Sequence, residues 1–212
     1  MICGVPDDDG VSDYLKVRIT FTDDLKEGQK QDENSQGEEV TIVAYLTEGS
    51  SVSLSNAYTE PFAGDQIGEM FTKVGGLAQT ETEMTFNTVL NSVSVWEGTN
   101  PIDISLTLYF HAYTNAKKEV TEPIQQLLRL ASAELNEKIP FYSDSEFNMG
   151  RVPKTPMFDI GRKIKIPMAI VDVQYELNAP KTKSGDFAYN TVTITCNPKK
   201  MLQRSAITSV FT

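Results

Sequence analysis

The sequence predicts a mostly-β fold with one flanking α-helix, arranged as a β-sandwich or barrel. Three observations carry this. Apolar and polar residues alternate with period two around 15–22, 40–46 and 102–113, the spacing of half-buried strands. A single stretch, 115–138, carries an apolar stripe at helical spacing. No apolar run approaches the ~20 residues of a membrane helix.

Taken in order, Leu15, Val17, Ile19 and Phe21 alternate with Lys16, Arg18, Thr20 and Thr22, predicting a strand with one wet face. The next residues, 23–39, are almost wholly polar and read as an exposed loop able to order against a partner. Val40, Ile42, Ala44 and Leu46 mark a second strand, and Val52 and Leu54 a short third. Within 49–83, Ile67, Met70, Phe71 and Val74 suggest a short helix over 65–73 capped by Asp65, between proline and glycine breakers.

Residues 84–113 read as a long hairpin whose loop is 97–101. The helix follows, with Val120, Ile124, Leu127, Leu128, Ala131 and Leu135 on its apolar face and Leu128 expected to be buried. Thr114 or Asn115 can cap its start. Pro123 either kinks it or opens a second helical start capped by Thr121. The segment 139–165, rich in proline and aromatics, has no assignable element and reads as an insertion within one domain spanning 1–212. Strands at 166–177 and 189–196 close the chain, joined by the polar linker 178–186.

A chain of 212 residues with 40% hydrophobic and 23% charged residues can bury a full core, so disorder of the whole is not expected. The net charge of −10 argues against a phosphate-binding surface. Charge is unevenly spread. Residues 151–212 hold ten Lys/Arg against four Asp/Glu, a net of +6, whereas residues 1–149 hold nine against 25, a net of −16. Such asymmetry means either head-to-tail contact between copies or uneven solvation of a surface. Residues 1–10 are acidic and do not read as a signal peptide. Cys3, at an end expected to be loose, and Cys196, in a strand, are a poor disulfide pattern, and a reducing cytoplasmic origin is the simpler reading.

No catalytic motif emerges. His111 is the single histidine, on the polar face of its strand between Tyr109 and Tyr113, and a structural role is expected for it. One histidine and two distant cysteines cannot make the usual zinc set. Asp7-Asp8-Asp9-Gly10 lacks calcium-loop spacing. Asp144, Glu146 and Asn148 have Met149 where glycine is needed, so both stretches read as solvated loops. Gly64, Gly68, Gly75 and Gly76 make no phosphate loop. No cofactor and no metal are expected. Trp96, at the predicted hairpin tip, either caps the core or anchors an interface, and Tyr58, Phe62 and Phe71 allow the same two readings.

Over 95–135 the sequence resembles a known family. Trp96-Glu97-Gly98, Pro101-Ile102, the alternating strand to Ala112, Thr114 to Val120, Pro123-Ile124 and Leu127 to Ala131 are similar to structural proteins of contractile phage tails. These sit at the junction of tail tube and baseplate and are called tube initiators. Residues 58–64 extend the likeness. The resemblance implies a tail-tube-like β-sandwich or barrel with one flanking helix, repeated around a sixfold homo-oligomeric ring. It implies neighbouring tail-tube and baseplate proteins as partners, and a place in the virion tail after assembly in the host cytoplasm. Hairpins from all copies would join around a channel through which DNA passes without specific binding. An acidic chain suits such a wall, because like charges repel phosphate. The basic last third does not follow from this. It offers Arg162, Lys163 and Lys165 as a candidate contact with an acidic neighbour, beside Trp96, Tyr58 and Phe62.

The sequence therefore points to a non-enzymatic structural ring protein with no membrane span. Two other readings stay open. One is a β-sandwich adhesin or carbohydrate-binding module using Tyr109, Tyr113 and Trp96. The other is a hydrolase with a carboxylate pair.

Overall fold

A computed structural model describes residues 1–6, 8–23, 38–59, 94–135, 150–151 and 153–211. In chain order its strands begin with β1 (Ile2–Gly4), β2 (Lys16–Asp23), β3 (Glu38–Leu46), β4 (Ser51–Ser53), β5 (Asn56–Thr59), β6 (Val95–Thr99) and β7 (Asp103–His111). A π-helical turn, Lys117–Thr121, then leads into α1 (Glu122–Ala131). After it come β8 (Glu134–Leu135), β9 (Gly150–Arg151), β10 (Met157–Ile160), β11 (Ile164–Pro167), β12 (Ala169–Tyr175), β13 (Tyr189–Asn197) and α2 (Arg204–Val210). The chain forms two compact units, one of residues 1–53 and 101–212 and one of residues 54–100.

The first unit is mostly β, a curled half-barrel sheet with one main helix, as the alternation and the single stripe predict. The strand order is β11-β10-β2-β3-β7-β13-β12, with β1 beside β3 and β4 beside β7. The two ends of this path are contiguous in sequence. Pro167 ends β11 and Ala169 begins β12, with buried Met168 between them. Two Cα atoms that far apart in the chain lie within about 7.6 Å, so the opposite sheet edges meet at this corner. A bent strand that changes edges is how sheets turn corners.

The core lies on one face of the sheet, where Val17, Ile19, Val40, Ile42, Ile104, Leu106, Leu108, Phe110, Val192, Ile194 and Cys196 form one buried cluster with Ile124, Leu127 and Leu130 of α1. β7 and β13 pair in antiparallel register from Tyr189 opposite His111 to Cys196 opposite Ile104, and both bury alternate residues.

Several expectations are corrected. Leu15 is not a core residue. It ends a short 3-10 turn, Asp13–Leu15, and faces solvent, so β2 starts one residue later. The hairpin of 84–113 does not form as read. β6 covers residues expected to turn and pairs with β5, while β7 pairs with β13, β3 and β4. Residues 84–93 and the helix expected at 65–73 lie outside the described residues. Within 139–165, read as unassignable, β10 and the first half of β11 form a hairpin, and β10 continues the sheet beyond β2. Gly161 and Arg162 both have positive φ, 56° and 57°, and the Lys163 amide donates to the Ile160 carbonyl, 3.0 Å. This is a type I′ turn written without the usual Asn-Gly signal. The strand expected over 166–177 is broken at Pro167, which cannot donate to a ladder. Cys3 is not loose. β1 runs parallel to β3, with Cys3 opposite Ile42, and its thiol is buried and free. Gly4 is required there, because at φ 104° a Cβ would lie 2.0 Å from the Val43 carbonyl oxygen.

The helix is also shorter and differently phased. Pro123 has no N–H for the Glu119 carbonyl, and the backbone widens around it: Glu122 N–H reaches back five residues to Lys117 C=O. The proline thus sits in the first turn of α1, in a continuous helical path, and Thr121 makes no side-chain cap. The buried face is Val120, Pro123, Ile124, Leu127 and Leu130, and Leu128, expected inside, is 36% exposed. Leu128 lies about 100° around the axis from the centre of that face. The Ser132 amide and hydroxyl both donate to the Leu128 carbonyl, at 3.0 and 2.8 Å, and end the helix short of 138. Leu135, assigned to the stripe, belongs to β8.

Candidate functional site

The face of the sheet opposite the core carries the polar alternates of β2, β3, β7 and β13, among them Lys16, Tyr45, Tyr109, His111 and Tyr189. Lys16, expected on a wet face, is 0% exposed. Its Nζ lies 2.7 Å from the Asp9 carboxylate, itself 1% exposed, and donates to the Pro6 carbonyl at 3.2 Å. Asp9 also accepts from the Val11 amide, 2.8 Å, and from the Tyr45 hydroxyl, and the Tyr45 and Tyr113 hydroxyls lie 2.9 Å apart. The acidic stretch around Asp9, read as solvated, is therefore in part a buried anchor. Burial opposes ionisation of Asp9, but the bonds from Lys16, Tyr45 and Val11 outweigh it and hold its carboxyl below the usual range. Burial, then Asp9, push the Tyr45 phenol up. Period-two patterning assigns Lys16 to the outer face correctly. It cannot report that residues before β2 cover that face.

The three basic candidates sit at the β10–β11 hairpin. Arg162 lies 3.1 Å from Asp159 and 3.3 Å from Asp13, and Asp13 lies 2.8 Å from Arg18. The Lys163 ammonium stands 5.9 Å from the centre of the Tyr14 ring, and exposed Lys165 is opposite Asp159. Part of the basic last third is thus joined to the acidic first part within one chain, through Asp13. Asp13 and Asp159 are the carboxylates brought together here, with Arg162 held by both.

Further along the same face, the Tyr109 and His111 rings stack at 6.2 Å, His111 meets Tyr113 edge-on at 5.0 Å, and Tyr189 lies 6.2 Å from Tyr109. His111 Nδ1 is buried and has no hydrogen-bond partner among the described residues. Trp96 and Tyr58 face each other across β5 and β6 in the second unit, and both are exposed. Phe62 and Phe71 lie outside the described residues. Among the described residues, no three His, Cys, Asp or Glu side chains gather as a metal site.

Glu119 escaped the sequence reading. Its buried carboxylate accepts from the Tyr113, Thr114 and Asn115 amides and from the Thr114 hydroxyl, 2.6 Å. Burial opposes its ionisation, but the Thr114 hydroxyl and these amides outweigh that and keep the carboxyl below its usual range. Asn115 accepts from the Lys118 amide at 3.2 Å, as expected of a cap. No spacing rule announces it: a capping box wants the acid three residues after the cap, where this chain has Lys118.

The free edge of the sheet is β12, against whose outer side no strand lies among the described residues. It holds a bulge at Val171, which is 61% exposed, and leads to Leu177, 70% exposed. The other edge, β11, is short, carries Lys165 and Pro167, and is bridged at Ile164 by Phe211.

No protein-family model matches the chain, and no curated protein matches it significantly. No helix among the described residues is long and apolar enough to cross a membrane.

Proposed function

We propose that the chain is a structural ring component of a contractile phage tail, joining baseplate hub to tail tube and helping to form the DNA channel. In this reading it is not an enzyme. Its work is assembly into a homo-oligomeric, sixfold ring with tail-tube and baseplate neighbours, in the virion. What supports it is the asymmetry of the sheet edges, joined to the likeness over 95–135. β11 is blunted by lysine, proline and the Phe211 bridge, devices that oppose edge pairing. β12 is longer and presents Val171 to solvent, and Leu177 just beyond its end is exposed as well. An open edge of this kind is a template for another chain. Within the stretch 95–135, residues 101–135 supply β7, an interior strand of the main sheet, and α1. The net charge of −10 keeps a DNA-facing wall from binding phosphate.

Sedimentation and negative-stain imaging test this. The wild-type chain is expected to form ring-sized particles when concentrated or mixed with its neighbouring tail proteins. Val171→Lys should stay monomeric with an unchanged melting curve, since a lysine on the edge opposes pairing. A wild-type chain that stays monomeric under both conditions refutes the ring. A Val171→Lys chain that assembles normally removes β12 as the contact.

A further inference from the structure

We propose that residues 5–6 and 8–15 form a releasable strap across the outer face of the sheet, locked by Asp9 and Asp13, which opens while the sheet beneath stays folded. The strap starts at β3, where the Val5 amide donates to the Val43 carbonyl at 2.9 Å. It crosses β2 at the Asp9–Lys16 pair and ends on the β10–β11 turn, where Asp13 meets Arg162. Gly161 has no room for a Cβ there, because the Tyr14 carbonyl oxygen would lie 2.7 Å from it.

The strap is held by charge more than by apolar burial. Val5 is its one fully buried apolar side chain among the described residues, while Tyr14 and Leu15 are 62% and 55% exposed. Asp9 and Asp13 take three cations: Lys16 and Arg18 from β2, and Arg162. Around Asp9 stand Lys16 and Tyr45, with Tyr113 behind; around Asp13 stand Arg18 and Arg162, with Asp159 beyond.

Lys16 lies outside the apolar core and is buried because the strap covers it. When the strap lifts, Lys16 and Asp9 both regain water, so opening leaves no ion stranded in an apolar site. Segments with little buried apolar surface open well below the free energy of global unfolding. Opening uncovers Lys16, Val43 and Tyr45 without disturbing the α1 side of the sheet.

Hydrogen exchange on the whole chain tests the strap. In the wild type, the Val5, Val11 and Leu15 amides should exchange through an opening whose rate hardly changes with low denaturant. Amides of β7 and β13 should show the full dependence of global unfolding. In Asp9→Asn/Asp13→Asn the three strap amides should exchange at least about tenfold faster while keeping their weak denaturant dependence, and β7 and β13 amides should speed up by no more than that factor. Strap amides that share the denaturant dependence of β7 and β13 in the wild type overturn the proposal, whether or not the double variant folds. So do strap rates unaltered in a folded double variant.

Discussion

Leu127→Ala is expected to lower the free energy of unfolding by about 2–5 kcal/mol, the cost of emptying a fully packed leucine site. Leu127 is buried on the face of α1 that meets the sheet, with Ile124 and Leu130 beside it. Leu128→Ala should cost less than about 1 kcal/mol, because the side chain is already partly in water. Urea titrations of the two variants decide the matter. Equal losses would mean that the π-helical turn does not set the phase of α1. The contrast is informative because the sequence pattern alone assigns both leucines to the core.

Glu119→Ala is expected to cost about 2–4 kcal/mol, since it leaves several amides at the start of the helix without an acceptor, at ~1–3 kcal/mol for a buried unsatisfied group. Glu119 bridges the end of β7 to the first helical turn, so its loss should loosen the junction over residues 113–121 first. The carboxylate also shapes the pH dependence. Its folded pKa is depressed, so its contribution is fully present above the ordinary carboxylate value of ~4.3. That contribution is lost as pH falls through the lower folded value. Asp9 and Asp13 act in the same direction, Asp13 chiefly through Arg18. Stability of the wild type should therefore fall on acidification below the ordinary carboxylate range. Glu119→Gln should show a shallower fall, because glutamine does not titrate. Parallel curves for the two would show that Glu119 carries no linked proton.

The remaining buried ionisable groups behave as core. Burial, with Glu122 adding, pushes the Cys3 thiol up to about 11, and burial alone pushes Cys196 up to about 12. Both stay as thiols at neutral pH, packed as small apolar side chains.

Local periodicity is enough to place β2, β3, β7 and β13 and to announce one amphipathic helix, though not its phase or its end, because alternation and 3.6-residue spacing are printed in the residues themselves. It also places Lys16 on the outer face, while residue type offers Thr114 or Asn115 as the cap, and Asn115 takes that role. Pairing is another matter. β7 lies between β3 and β13, strands far from it in sequence, while the turn-forming residues just before it suggested a local hairpin. Hydrogen bonding between distant strands leaves no local mark, and Gly98 can serve a strand as well as a turn. The β10–β11 hairpin was hidden because its turn places Arg162 at positive φ, where sequence rules look for Asn or Gly. The helical phase changed because Pro123 removed one amide and the backbone widened by one residue.

The candidate site shows the same division. Tyr58, Trp96, Arg162, Lys163 and Lys165 could be picked out by residue type. That Tyr58 faces Trp96, and that Arg162 is held by Asp13 and Asp159, required the folded chain. Residue chemistry alone establishes a β-rich, acidic chain with one amphipathic helix. Which charges are buried is decided by what lies over them: Lys16 and Asp9 are a wet lysine and a solvated aspartate until a segment from outside the sheet crosses the face and removes their water.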